Sequence, residues 1–224
     1  MGASDEAAWR RYFQECVARW SGPRYALDTC FVQLTLLLDQ GEQAQGQRWQ
    51  SSATFASLQE VLEQVREPAI VLLGPPGSGK STLLRHVELD NARTALLAGS
   101  VTQAPVTLFV SLNMYAPQRH RLPDPLVWLQ EQWAGRFPSL PPLETLLRER
   151  QVILLLDALN EIPVLDADPL PRWREFLRQL EQRYPHTRVI FSCRSLDYSA
   201  SLSSKDFPVP QVRLLLLPIK GAGV

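Results

Sequence analysis

The chain has 224 residues, with 23 basic and 23 acidic side chains, so its formal charge at pH 7 is zero. At about 150 residues per domain this is one domain with a long lead-in, or a large domain alone, and a composition of 45% hydrophobic and 21% charged residues is that of a globular chain with a buried core. The charge balance argues against a general nucleic-acid binder, no apolar run approaches the ~20 residues of a membrane span, and residues 1–11 lack the apolar run of a secretory signal.

Residues 5–20 place Trp9, Tyr12, Phe13, Cys16, Val17 and Trp20 at helical spacing, which predicts an amphipathic helix stopped by Ser21-Gly22-Pro23. Its aromatic stripe is expected in the core or on a partner-facing surface. Cys30–Leu38 reads as a strand, and residues 40–50, with five Gln and two Gly, read as a solvated loop. Ser57 as cap, Glu60 three residues on, and the face Leu58, Val61, Leu62 and Val65 predict a short helix. Ala69–Leu73 (AIVLL) is an apolar run of the kind buried on both faces of a parallel sheet. A helix to about Leu89 follows it. Val106–Ser111, Val152–Asp157, Thr187–Ser192 and Val212–Leu217 repeat the strand pattern, with helices expected at 125–134, 143–150 and 170–184. Strands alternating with helices predict a parallel α/β sandwich.

Between the first of these strands and its helix stands GPPGSGKS, residues 74–81, which fits G-x-x-x-x-G-K-[ST] in the strand-then-helix context that gives the motif its meaning. Gly77 and Gly79 let the backbone turn its amides inward with no Cβ in the way. The helix start adds a positive dipole end. Lys80 supplies a point charge to β- and γ-phosphates, Ser81 a hydroxyl to Mg²⁺, and Thr82 a donor to the α-phosphate. The phosphate-binding candidates are therefore Gly74, Pro75, Pro76, Gly77, Ser78, Gly79, Lys80, Ser81 and Thr82.

The run VILLLDALNE, residues 152–161, ends a buried strand on Asp157, where ligands gather in parallel α/β sheets. Asp157 is the candidate partner of Ser81 in holding Mg²⁺. Ala158 leaves room beside it. Glu161 is the carboxylate placed to orient an attacking water, whereas Asn160 can hydrogen-bond but cannot act as a base. The strand RVIFSCRS ends on Ser192, Cys193, Arg194 and Ser195. From a neighbouring strand end, Arg194 would report on the γ-phosphate and stabilise charge in the transition state. The catalytic candidates are thus Lys80, Asp157, Glu161 and Arg194, and the metal candidates Ser81 and Asp157.

Arg outnumbers Lys 20 to 3, the lysines being Lys80, Lys205 and Lys220. None sits in an [NT]-K-x-D guanine-reading motif, which favours ATP. Residues near 24–30 and 66–70 are candidates for the adenine pocket. The three widely spaced cysteines, Cys16, Cys30 and Cys193, make neither a disulfide framework nor a zinc site and fit a reducing, cytoplasmic setting. His86, His120 and His186 are read as packing or loop residues.

GPPGSGKST, LLLDALNEIP and RVIFSCRSLDY together resemble the NACHT family of STAND nucleoside triphosphatases, over residues 66–217. The resemblance implies a P-loop NTPase fold: a three-layer α/β/α sandwich with a mainly parallel five-stranded sheet, spanning 65–220 and preceded by a helical and extended lead-in, 1–64. It implies ATP, ADP and Mg²⁺ as ligands, and a switch closed with ADP and open, self-associating or joined to other signalling chains with ATP, in immune or anti-phage signalling. Asn160 stands where the family often has an acid. No winged-helix region or repeat array follows the fifth strand, as expected of a fragment, a split gene product or a single-module form. The competing readings are a hydrolysis-silent nucleotide-binding scaffold and an AAA+-like ATPase acting on nucleic acid or protein.

Overall fold

A computed structural model describes residues 3–21, 35–38, 54–55, 57–99, 101–117, 121–163, 168–198, 201–204 and 207–215. In chain order the elements are α1 (Ala3–Trp20), β1 (Thr35–Leu38), β2 (Thr54–Phe55), α2 (Leu58–Gln64), β3 (Ala69–Gly74), α3 (Lys80–Leu97), β4 (Val106–Ser111), α4 (Pro125–Arg136), α5 (Leu143–Glu149), β5 (Val152–Asp157), α6 (Leu170–Arg183), β6 (Arg188–Arg194) and β7 (Gln211–Leu215). The expected loop at 40–50, residues 30–34 of the expected first strand and the adenine-pocket candidates at 24–30 lie outside the described residues.

The strands form one sheet in the order β2-β1-β7-β3-β6-β5-β4. The five strands from β7 to β4 are parallel, as the apolar runs predict. Beyond them, β1, the end of the strand read at Cys30–Leu38, runs antiparallel to β7 and β2 antiparallel to β1, so two antiparallel strands extend the expected five-stranded sheet. Thr54–Phe55 is too short to carry a strand signal of its own.

Alternate residues of the central strands feed two cores. On one face, Val71, Leu108, Leu154, Val189 and Phe191 meet Trp133, Trp173, Phe176 and the aromatic stripe of α1. On the other, Ile70, Leu72, Leu155, Ile190 and Val212 meet Leu58 and Val61 of α2, Leu83, Leu84 and Val87 of α3, and Trp20. Each fully buried aliphatic side chain here contributes roughly 1.5–3 kcal/mol. Helices on both faces and continuous burial along β3 and β5 are two sides of one requirement: a parallel strand has no solvated face.

Two helix limits depend on this packing. Ser57 caps α2, its hydroxyl accepting from the Glu60 amide at 3.2 Å, as the sequence predicts. By contrast α3 continues eight residues past the expected end at Leu89, because Ala92 and Ala95 of the polar-looking stretch after it are buried against the sheet edge.

That edge is β4. A parallel strand presents alternate residues outward with both N–H and C=O free. Here Tyr12 Oη accepts from the Thr107 amide at 3.0 Å and donates to the Thr107 carbonyl at 2.5 Å. At Phe109 the carbonyl accepts from Arg136 at 2.5 Å, and the amide donates to the Glu88 carboxylate. Glu88 is 1% exposed and also accepts from the Trp20 indole at 2.5 Å and from Arg19 at 3.4 Å. Burial pushes its carboxyl above the ordinary range, against the pull of Arg19, Trp20, Phe109 and Arg136. Side chains of α1, α3 and α4 thus take the place of a further strand.

Candidate nucleotide site

The loop between β3 and α3 follows from its residue types. Gly77 and Gly79 have φ of 71° and 89°, where an L side chain is strained, and a Cβ built on either meets nothing within 4 Å. Open space therefore lies beside both glycines. Gly74 is needed for a different reason: a Cβ there would stand 2.6 Å from Ser78 Oγ. Pro75, Pro76 and Gly77 are exposed, while Ser78 and Lys80 are buried. Lys80 Nζ donates to the carbonyls of Gly74 at 2.9 Å and Pro75 at 2.8 Å, and to Ser78 Oγ at 3.4 Å. Burial lowers the Lys80 pKa, with Asp157 pulling the other way. An ammonium held by neutral carbonyls keeps most of its charge available to an anion.

Lys80 and Ser81 open α3, with Thr82 half-buried in the same first turn. Ser81 Oγ donates to Asp157 Oδ1 at 2.9 Å. Residues 76 positions apart in sequence thus meet where the ends of β3 and β5 come together. A hydroxyl and a carboxylate, both hard oxygen donors, form the kind of pair that holds a divalent cation. With the lysine and the open loop beside it, the residues present fit a magnesium-bound phosphate chain.

The strand between them supplies the rest. β6 lies between β3 and β5, and Ser192 Oγ donates to the same Asp157 Oδ1 at 2.5 Å while accepting from the Ala158 amide at 2.8 Å. Ala158 has φ of 62°, a left-handed turn that ends the strand and starts the 3-10 turn Leu159–Glu161. Arg194 and Glu161 form an ion pair at 3.0 Å, both close to half exposed at the rim. The Arg194 amide donates to Asn160 Oδ1 at 3.1 Å.

The structure therefore gathers Lys80, Ser81, Asp157, Glu161 and Arg194 at one end of three adjacent strands. Sequence reasoning gave no role to Ser192 and only a general hydrogen-bonding capacity to Asn160. The signal that finds Ser192 is register: Leu156 pairs with Phe191, so the next residues, Asp157 and Ser192, lie side by side. A groove of about 420 Å³ at the opposite end of the strands, between α2 and α3, is a separate feature. Arg188 in its wall is occupied by the carbonyls of Leu62 and Val65.

No helix among the described residues is long and apolar enough to cross a membrane. A search of curated proteins gave no match. A comparison with protein-family models matches residues 68–207 to the NACHT domain, which is more than half of the chain and takes in the glycine loop at 74–79, the Asp157 strand and the Arg194 strand. The chain belongs to the NACHT family of nucleotide-binding P-loop NTPases.

Proposed function

We propose that this chain is a signalling switch that binds ATP with Mg²⁺, hydrolyses it slowly to ADP, and passes the difference on by self-association or by association with other signalling chains, in immune or anti-phage defence. The observation that carries the reading is the contact of Ser81 with Asp157 beneath an open glycine loop, with the Glu161–Arg194 pair at its rim. Residues 65–220 form the nucleotide-binding unit and 1–64 its lead-in. The free thiols of Cys16 and Cys193 fit a cytoplasmic setting.

In this reading the amides of 74–79 and the α3 N-terminus take the phosphate oxygens, and Lys80 neutralises the β- and γ-phosphates. Ser81 and Asp157 hold Mg²⁺, which when bound neutralises charge on the phosphate oxygens. Glu161 orients the attacking water through a carboxylate oxygen. Arg194, released from Glu161 to the γ-phosphate, distinguishes ATP from ADP. Two carboxylates face Arg194 at the rim, Glu161 at 3.0 Å and Asp197 at 3.9 Å, and a γ-phosphate takes the place of the nearer one, an exchange of like partners that suits a two-state device.

Two measurements test the reading. Lys80→Ala abolishes ATP binding measured by calorimetry; retained micromolar affinity overturns the assignment of the phosphate loop. Light scattering with ADP and with a non-hydrolysable ATP analogue shows a larger species with the analogue. The same mass in both removes nucleotide-driven self-association.

A further inference from the structure

The hydrogen bonding of β6 is uneven at its C-terminal end. Toward β3 the backbone ladder runs to the last residue, with Gly74 beside Arg194 and the Ser195 amide donating to the Gly74 carbonyl at 3.2 Å. Toward β5 the ladder stops three residues earlier, at Leu156 beside Phe191. The left-handed turn at Ala158 carries the chain away from β6 there. Amides alternate in direction along a parallel strand. Those of Val189 and Ser195 go to the β3 side, so that of Arg194 faces β5, where the backbone partner has gone.

Asn160 fills the gap. Its side-chain oxygen accepts the Arg194 amide at 3.1 Å, and its neighbour Glu161 accepts the Arg194 guanidinium at 3.0 Å. The turn that carries both is itself fixed: the Glu161 amide donates to the Ala158 carbonyl at 2.9 Å, and the Ala158 amide is held by Ser192. We infer that Asn160 is a positioning residue for Arg194: its side-chain oxygen replaces a missing strand carbonyl and fixes the arginine backbone from which the guanidinium reaches. The role needs an acceptor and not a base, so a carboxylate serves equally at this position, while an alkyl group does not.

The inference rests on the reading of Arg194 as the group that tells ATP from ADP. Its test is therefore the ratio of two affinities, for a non-hydrolysable ATP analogue and for ADP, each with Mg²⁺, by calorimetry. ADP lacks the γ-phosphate, so the ratio isolates contacts to that group, and measurement at high salt screens the charge that Asn160→Asp adds at the half-exposed rim. Arg194→Ala lowers the ratio by about tenfold or more, the loss of a charge-assisted hydrogen bond. Asn160→Ala lowers it by roughly three- to tenfold, the scale of one neutral hydrogen bond. Asn160→Asp stays within about twofold of the unmodified chain, a rescue that a need for the carboxamide as such would not give. The double variant Asn160→Ala with Arg194→Ala is no lower than Arg194→Ala alone, as for two residues acting through one contact.

If Arg194→Ala lowers the ratio and Asn160→Ala does not, the positioning role is overturned and the reading of Arg194 stands. If Arg194→Ala leaves the ratio unchanged, both fall. If Asn160→Asp drops as far as Asn160→Ala, acceptance by the side-chain oxygen is overturned. Thermal unfolding of each variant is recorded alongside, and Asn160→Asp decides the matter alone should Asn160→Ala not fold.

Discussion

Tyr12→Phe removes a single oxygen, and the structure sets what that costs. Tyr12 is 2% exposed and Thr107 is 1% exposed, so water does not replace the hydroxyl. The Thr107 amide and carbonyl each lose their outward partner, while the ring keeps its edge contacts with Phe13 and Phe137. A buried group left unsatisfied costs about 1–3 kcal/mol, so two cost about 2–6 kcal/mol. The Thr107 hydroxyl, 3.2 Å from Tyr12 Oη, offsets part of this by turning back on its own backbone. A loss of roughly 2–4 kcal/mol is expected, and at ~2–4 °C per kcal/mol for a chain of this size the thermal midpoint falls by roughly 4–16 °C. Urea unfolding followed by tryptophan fluorescence gives the free energy. Hydrogen exchange gives the location, since the Thr107 amide should lose protection ahead of those bonded to β5. Thr107→Val is the control: it removes only the side-chain contact and costs less than about 1 kcal/mol. A Tyr12→Phe variant within about 0.5 kcal/mol of the unmodified chain, with unchanged Thr107 exchange, would refute the idea that this hydroxyl seals the sheet edge.

Further outcomes follow from the same geometry. Burial holds the Glu88 carboxyl above its ordinary value, so from about pH 4.3, the unfolded value, up to the raised folded value the folded chain binds more protons than the unfolded one. Stability therefore falls as pH rises across that window, and Glu88→Gln flattens the slope; an unaltered slope assigns the titration elsewhere. Gly79→Ala, at φ 89°, destabilises by about 1–2 kcal/mol and weakens nucleotide binding. Gly135→Ala, in the last turn of α4 with nothing within 4 Å of the new methyl, stabilises by about 0.4–1 kcal/mol through the lost freedom of the unfolded chain. The same sign for the two alanines in thermal melts would contradict the conformational argument. Glu161→Gln keeps nucleotide affinity and slows phosphate release by about 100-fold, the scale of a lost general base. Unchanged turnover points to a different group.

The conformation of the glycine loop at 74–79 was legible in the sequence because its determinants are local. Gly77 and Gly79 are required by two positive φ values within three residues, and Lys80 and Ser81 follow on the same turn. The strands of the parallel sheet were legible too, since burial on both faces leaves unbroken apolar runs such as VILLLD. Ends were less so. Continuation of α3 to Leu97 depends on Ala92 and Ala95 meeting a sheet edge that no local pattern specifies.

Pairing decided the remainder. Nothing in residues 188–194 says that their strand lies between β3 and β5, yet that order alone sets Ser192 against Asp157 and Arg194 against Asn160 and Glu161. The same holds for Tyr12, whose spacing marks a buried helical face but not the strand edge 95 residues away that its hydroxyl closes. Chain conformation at a turn is set by sterics within a few residues, so the sequence by itself determined the cradle. Which strands become neighbours is set by the joint burial of distant surfaces, so only the tertiary structure decided which side chains face one another across it.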